Sequence, residues 1–131
     1  MQRPVFRFEK LEVWQLARQI NHKVYAASRS FPAEERYAPT SQLRRASASV
    51  SSNIAEGSGR NSDSDFAHFL EVAYGSLMEV VSQLFLASDE GYLTDQTLDP
   101  LLVDADCLAA RLVTFSKSLG REPRINRPPQ H

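Results

Sequence analysis

Four separate stretches of the chain repeat apolar side chains every three or four residues, and that spacing confines it to helices packed on one another. The first stretch carries Val13, Leu16, Ala17, Ile20, Val24 and Ala27 on one face, which predicts a helix from about Leu11 to Ser30, stopped where Phe31 meets Pro32. The second, opened by Pro39 and Thr40, aligns Leu43, Ala46, Val50, Ile54 and Gly57; Gly57-Ser58-Gly59 is expected to end it, because glycine accepts the left-handed conformation. The third is expected to start at Ser62 as a cap, with Asp63 and Asp65 in its positive first turn. It presents Phe66, Phe69, Leu70, Ala73, Leu77, Val80, Val81 and Leu84 before stopping at Glu90-Gly91. After "YLTDQT", read as a turn, Asp99-Pro100 reads as a cap and first-position pair. It introduces a fourth helix with Leu101, Ala105, Leu108, Leu112, Phe115 and Leu119, ended by Gly120. No segment alternates apolar and polar residues for the length of a strand. The expected fold is all-α, an antiparallel up-down four-helix bundle over residues 11–120, with an arm at 1–10 and a flexible tail at 121–131.

The second helix poses a problem of its own. "QLRRASASVSSNIAEGSGR", Gln42 to Arg60, is rich in serine, which prefers caps and turns to helix interiors. Close packing by neighbouring helices must hold it, and the small side chains of Ala46, Ser47, Ala48 and Ser51 suit such an approach. Arg45, Ser49, Asn53 (or Ser52), Glu56 and Arg60 form a polar row beside the apolar one. Two readings of that row stand. Ser49, Asn53 and Glu56 line a subunit contact or central opening, or Asn53 and Glu56 satisfy backbone groups at the connection between helices 1 and 2.

At 131 residues the chain is expected to be one domain. A single Cys107 precludes an intrachain disulfide and fits a reducing compartment, so the expected location is the cytoplasm; no run of about eighteen apolar residues indicates a membrane. Net charge is −1, but residues 1–60 carry ten basic and five acidic side chains, whereas residues 61–110 hold ten acids and no Lys or Arg. That polarity either draws the basic part of one copy to the acidic part of another or reflects two solvated faces of one subunit.

With those residues placed, the chain resembles the four-helix-bundle family encoded in intervening sequences of bacterial 23S rRNA genes. The resemblance rests on "FEKLEVWQLARQI", "FPAEERYAPTSQLRRASASVSSNIAEG" and "FAHFLEVAYGSLMEVVSQLFLA", and spans about Phe8 to Leu119, its most specific piece being Ser49-Val50 with Asn53-Ile54-Ala55-Glu56-Gly57. It implies a ring-shaped homo-oligomer, a homopentamer. One related branch, the accessory variability proteins of diversity-generating retroelements, binds nucleic acid through a strongly basic surface, from which a net charge of −1 departs.

The best candidates for contact with RNA or DNA are Arg44 and Arg45 with Arg36 and Arg60, joined by Arg121, Arg124 and Arg127 of the tail. Trp14 and Tyr25 on the first helix, and Tyr74 and Met78 on the third, lie beside the apolar stripes and extend them toward a neighbouring subunit. Catalytic, metal and cofactor sites are not expected. A di-iron bundle needs Glu-x-x-His pairs, none of which occurs; His68, beside Asp65 and Glu71, reads as solvated, and Cys107 as a small buried or half-buried apolar residue. The "GSGR" segment lacks the lysine and preceding strand of a phosphate loop. The expected function is a non-enzymatic scaffold that binds copies of itself and nucleic acid, the alternative a scaffold for another protein without nucleic-acid binding.

Overall fold

The structure, a computed structural model, describes residues 2–33 and 40–120. A single 3-10 turn at Arg7–Lys10 leads into α1 (Glu12–Ser28), followed by α2 (Ser41–Ser58), α3 (Asp63–Asp89) and α4 (Asp95–Ser118). No strand occurs among the described residues. Consecutive helices are neighbours and α1 also packs on α4, so every helix turns its apolar stripe toward one shared centre. The predicted stripe of α2 is buried at every position: Leu43, Ala46, Val50, Ile54 and Gly57.

Residues distant in sequence meet across each interface. α1 meets α2 where Ser47 Oγ donates to Asn21 Oδ1 at 3.0 Å and Arg44 Nε donates to Ser28 Oγ at 2.9 Å. α2 meets α3 where the hydroxyls of Ser49 and Ser76 pair at 2.9 Å and Gln83 Nε2 donates to Gln42 Oε1 at 3.1 Å. α1 meets α4 through Glu12 with Arg111 and through Lys23 Nζ to Asp104 Oδ2 at 2.6 Å. Phe66 at the start of α3 packs edge-on against Phe115 near the end of α4, with ring centroids 5.2 Å apart.

Ser62 caps α3 as expected, its hydroxyl accepting from the Asp65 amide at 3.1 Å, and Gly91 at φ 79° takes the left-handed turn after it. Gly120 does the same after α4. Three expectations are corrected. α4 begins one turn early, at Asp95, so Asp99-Pro100 is no start signal and Pro100 lies inside the helix. The extra turn is held by the core, where Leu98 is buried beside Leu101. α2 ends without a left-handed glycine: Gly59 sits at φ −89°, and Gly57 is a buried helical residue. Cys107 is exposed, pointing away from its buried neighbour Leu108.

Gly57 answers the question posed by the serine-rich helix. A Cβ there would lie 2.6 Å from Phe69 Cβ and 3.0 Å from Phe66 Cδ1, so α3 presses directly on the α2 backbone. The N-terminal arm secures the same end: Phe8 packs on Trp14 with centroids 4.8 Å apart, and Arg7 Nη1 donates to the Ser58 carbonyl at 3.0 Å. A cation at a helix C-terminus is favourably placed against the helix dipole.

Candidate functional site

Two surfaces remain once the core is accounted for, and the helices divide them by charge. On α1 and α2 the outer side chains include Arg18, His22, Arg44 and Arg45, with Arg29 just past the end of α1; α3 carries no Lys or Arg.

The four arginines singled out in the sequence do not form one cluster. Arg36 lies outside the described residues. Arg44 and Arg60 stand at opposite ends of α2, roughly 24 Å apart along an axis that rises about 1.5 Å per residue. Arg60 pairs with Glu56 at 3.3 Å and lies over the Phe69 ring, 4.7 Å from its centroid. Arg44 is half-buried, its guanidinium carbon 4.6 Å from the centroid of Tyr25, while Arg45 is exposed beside it in a cleft with Tyr25, Thr40, Ser41 and Ala48. Of the three described arginines, the structure brings Arg44 and Arg45 together at the start of α2 and sets Arg60 apart. Arg18, stacked on Trp14 at 5.4 Å, extends this cationic side along α1, where it lines a second open cleft with Asn21, His22, Tyr25 and Arg29.

The polar row of α2 turns mostly inward on its own helix. Asn53 Nδ2 donates to the Ser49 carbonyl at 2.8 Å and to its hydroxyl at 3.0 Å, and Ser49 reaches Ser76 across the interface. Glu56 is exposed and takes Arg60. Residues 34–39 of the connection between α1 and α2 lie outside the described residues. Trp14 and Tyr74 are half-buried against the core; Tyr25 and Met78 are exposed.

Sequence reasoning picked out Met78 on the outer face of α3 but missed the row to which it belongs. Val72, Gly75, Met78, Ser82 and Phe85 follow one another at three- and four-residue steps, all exposed, with Leu86 beside them, 53% exposed. The signal was present in Val72, Phe85 and Leu86, apolar residues that lie off the expected core stripe, and it was not read. α3 is also the one described helix whose length and composition would suit a membrane span; its Leu70, Ala73, Leu77 and Leu84 are buried in the bundle core. Val103 on α4 adds another exposed apolar side chain. Among the described residues, no three His, Cys, Asp or Glu side chains are grouped to hold a metal ion.

Electrostatics single out one more pair. Arg3 and the Phe6 amide hold the Glu9 carboxyl well below its usual range, at about 2, the Arg3 guanidinium contributing most through a 2.7 Å contact.

The sequence matches the model of the family described as 23S rRNA-intervening sequence protein over residues 9–114. No curated protein matches the chain. The fold is similar to the crystal structure of a protein with unknown function from the S23 ribosomal protein family of Bacteroides thetaiotaomicron, with a TM-score of 0.74. The two are 19% identical, and the likeness, one of fold, covers 80% of this chain and 98% of the other.

Proposed function

Because this chain belongs to the 23S rRNA-intervening sequence protein family, we propose that it is a non-enzymatic helical scaffold whose copies assemble into a closed ring, a pentamer by family resemblance. One observation carries the reading. The α3 outer face leaves Val72, Met78, Phe85 and Leu86 exposed on a bundle whose core is already complete, and apolar strips of this kind mark association surfaces. The charge division supports contact between unlike faces, since a head-to-tail contact closes into a ring when its rotation closes. Within each copy the helices run up and down. This is supported by the cross-helix pairs, in which rising numbers on one helix meet falling numbers on the next: Asn21 with Ser47 and Ser28 with Arg44, Gln42 with Gln83 and Ser49 with Ser76, Glu12 with Arg111 and Lys23 with Asp104. The exposed free thiol of Cys107 is consistent with a reducing cytoplasm.

A second reading, association with RNA or DNA, is favoured by the cationic side of α1 and α2, where Arg18, Arg29, Arg44 and Arg45 form no ion pair among the described residues. Its competitor is a scaffold for another protein. Mass in solution by light scattering tests the assembly: the expected value is five times 14.7 kDa, and a 14.7 kDa species at all concentrations overturns it.

A further inference from the structure

The cleft between the end of α1 and the start of α2 is built more elaborately than packing requires. It is an open cleft of about 400 Å³ lined by Tyr25, Thr40, Ser41, Arg44, Arg45 and Ala48. Arg44 is fixed on two sides. Its Nε donates to Ser28 Oγ, and the Ser28 hydroxyl, buried at the end of α1, donates in turn to the Val24 carbonyl at 2.8 Å. Tyr25 supports the guanidinium from below. Held through Nε and one face, Arg44 has no hydrogen-bond partner for its two terminal nitrogens among the described residues, and they form the planar fork that fits phosphate oxygens.

Thr40 is the second, independent observation. It forms part of the cleft wall, is only 4% exposed, and its Oγ1 has no hydrogen-bond partner among the described residues. Buried hydroxyls are rarely left so, and this one belongs to a residue in the wall of a cationic cleft, where an acceptor can arrive from outside. Arg45 and Ser41, both exposed, add a second positive charge and a further hydroxyl at the rim.

We propose that this cleft binds a phosphate group, with the Arg44 terminal nitrogens and the Thr40 hydroxyl donating to its oxygens and Arg45 neutralising its charge. All of its parts come from one subunit, so it exists whether or not the ring forms. The competing account is that Arg44 only ties α1 to α2 through Ser28 and Tyr25, which leaves the Thr40 hydroxyl unexplained.

Titrating inorganic phosphate into the full chain while following backbone amide resonances separates the two, with chloride at matched ionic strength as control. The expected shifts converge on Thr40, Ser41, Arg44 and Arg45. Arg44→Lys keeps the charge but loses the fork, and should weaken binding about tenfold, the equivalent of one charge-assisted hydrogen bond. Thr40→Val keeps the shape and should melt like the parent without phosphate, yet lose several-fold in affinity. It decides the matter even if the Arg44 variant folds poorly. Shifts scattered over all surface cations, or a well-folded Thr40→Val protein that binds phosphate as the parent does, overturn the proposal. Displacement of bound phosphate by a short single-stranded RNA identifies a backbone phosphodiester as the ligand. Displacement by a nucleoside monophosphate alone identifies a terminal phosphate.

Discussion

α2 and α3 share the most extensive helix contact in the molecule, and their sequences reach it from opposite directions. α2 is short of apolar mass and long on serine, yet Leu43, Ala46, Ser47, Val50, Ile54, Gly57 and Ser58 are all buried, and none of its large apolar side chains is exposed. α3 is the most apolar helix and spends only part of that character inward, leaving Val72, Met78, Phe85 and Leu86 in solvent. The difference shows that burial follows fit rather than hydrophobicity. Small residues on α2 bring two backbones close, so each buried atom makes many contacts, whereas the surplus on α3 has no counterpart within the subunit.

The largest test of that contrast compares two truncations. Ile54 is fully buried and Phe85 is 48% exposed, although phenylalanine is the larger side chain. Ile54→Ala should cost about 2–5 kcal/mol of unfolding free energy in urea, whereas Phe85→Ala, measured on the dissociated chain, should stay within about 0.5 kcal/mol. Equal losses would mean that the outer face of α3 contributes to the subunit's own core, and the argument for association would lose its foundation.

How much of this could be read from the sequence depends on whether a feature belongs to one helix or to two. The apolar stripes are properties of single helices, and so Leu43, Val50, Ile54, Leu70, Leu77, Leu108 and Leu112 were placed correctly by spacing alone. The start of α4 was misplaced because Asp99-Pro100 carries a strong local signal that burial of Leu98 overrides. Cys107 was misjudged for its nearness to Leu108, since one step along a helix turns about 100° and here carries the side chain into solvent. Pairs such as Ser49 with Ser76, Asn21 with Ser47 and Arg44 with Ser28 depend on the register between helices, which no periodicity within a helix encodes. The same holds for the candidate sites. The arginines were legible as residue types, and the length of α2 alone separates Arg44 and Arg45 from Arg60, but only the packing of α1 against α2 sets Arg44 on Ser28 and Tyr25.

Glycine sharpens the contrast further. Gly57 on α2 has no room for a methyl group, because its nearest obstacle is Phe69 Cβ, an atom fixed to the α3 backbone. Gly57→Ala should therefore destabilise by about 1–3 kcal/mol through overpacking, even though alanine favours a helix over glycine by about 1 kcal/mol. Thermal unfolding that rises or stays level would show that α2 and α3 are not pressed together there.

The smallest effect should have the opposite sign. Gly75 lies near the middle of α3 on its outer face, with Val72 and Met78 one turn away, and an added Cβ there meets nothing within 4 Å. In the isolated subunit Gly75→Ala should stabilise by about 0.5–1 kcal/mol, the gain expected from restricting the unfolded chain and favouring the helix. Assembly changes the environment of the same atom. If a second copy covers the outer face closely, the added methyl group falls between two surfaces and weakens association while still strengthening the dissociated chain, so the sign of the effect depends on protein concentration. Unfolding measured at a concentration below and one above that of assembly reads both signs from one variant. Stabilisation of equal size at both would place the contact elsewhere on the bundle and leave the exposed strip of α3 as surface.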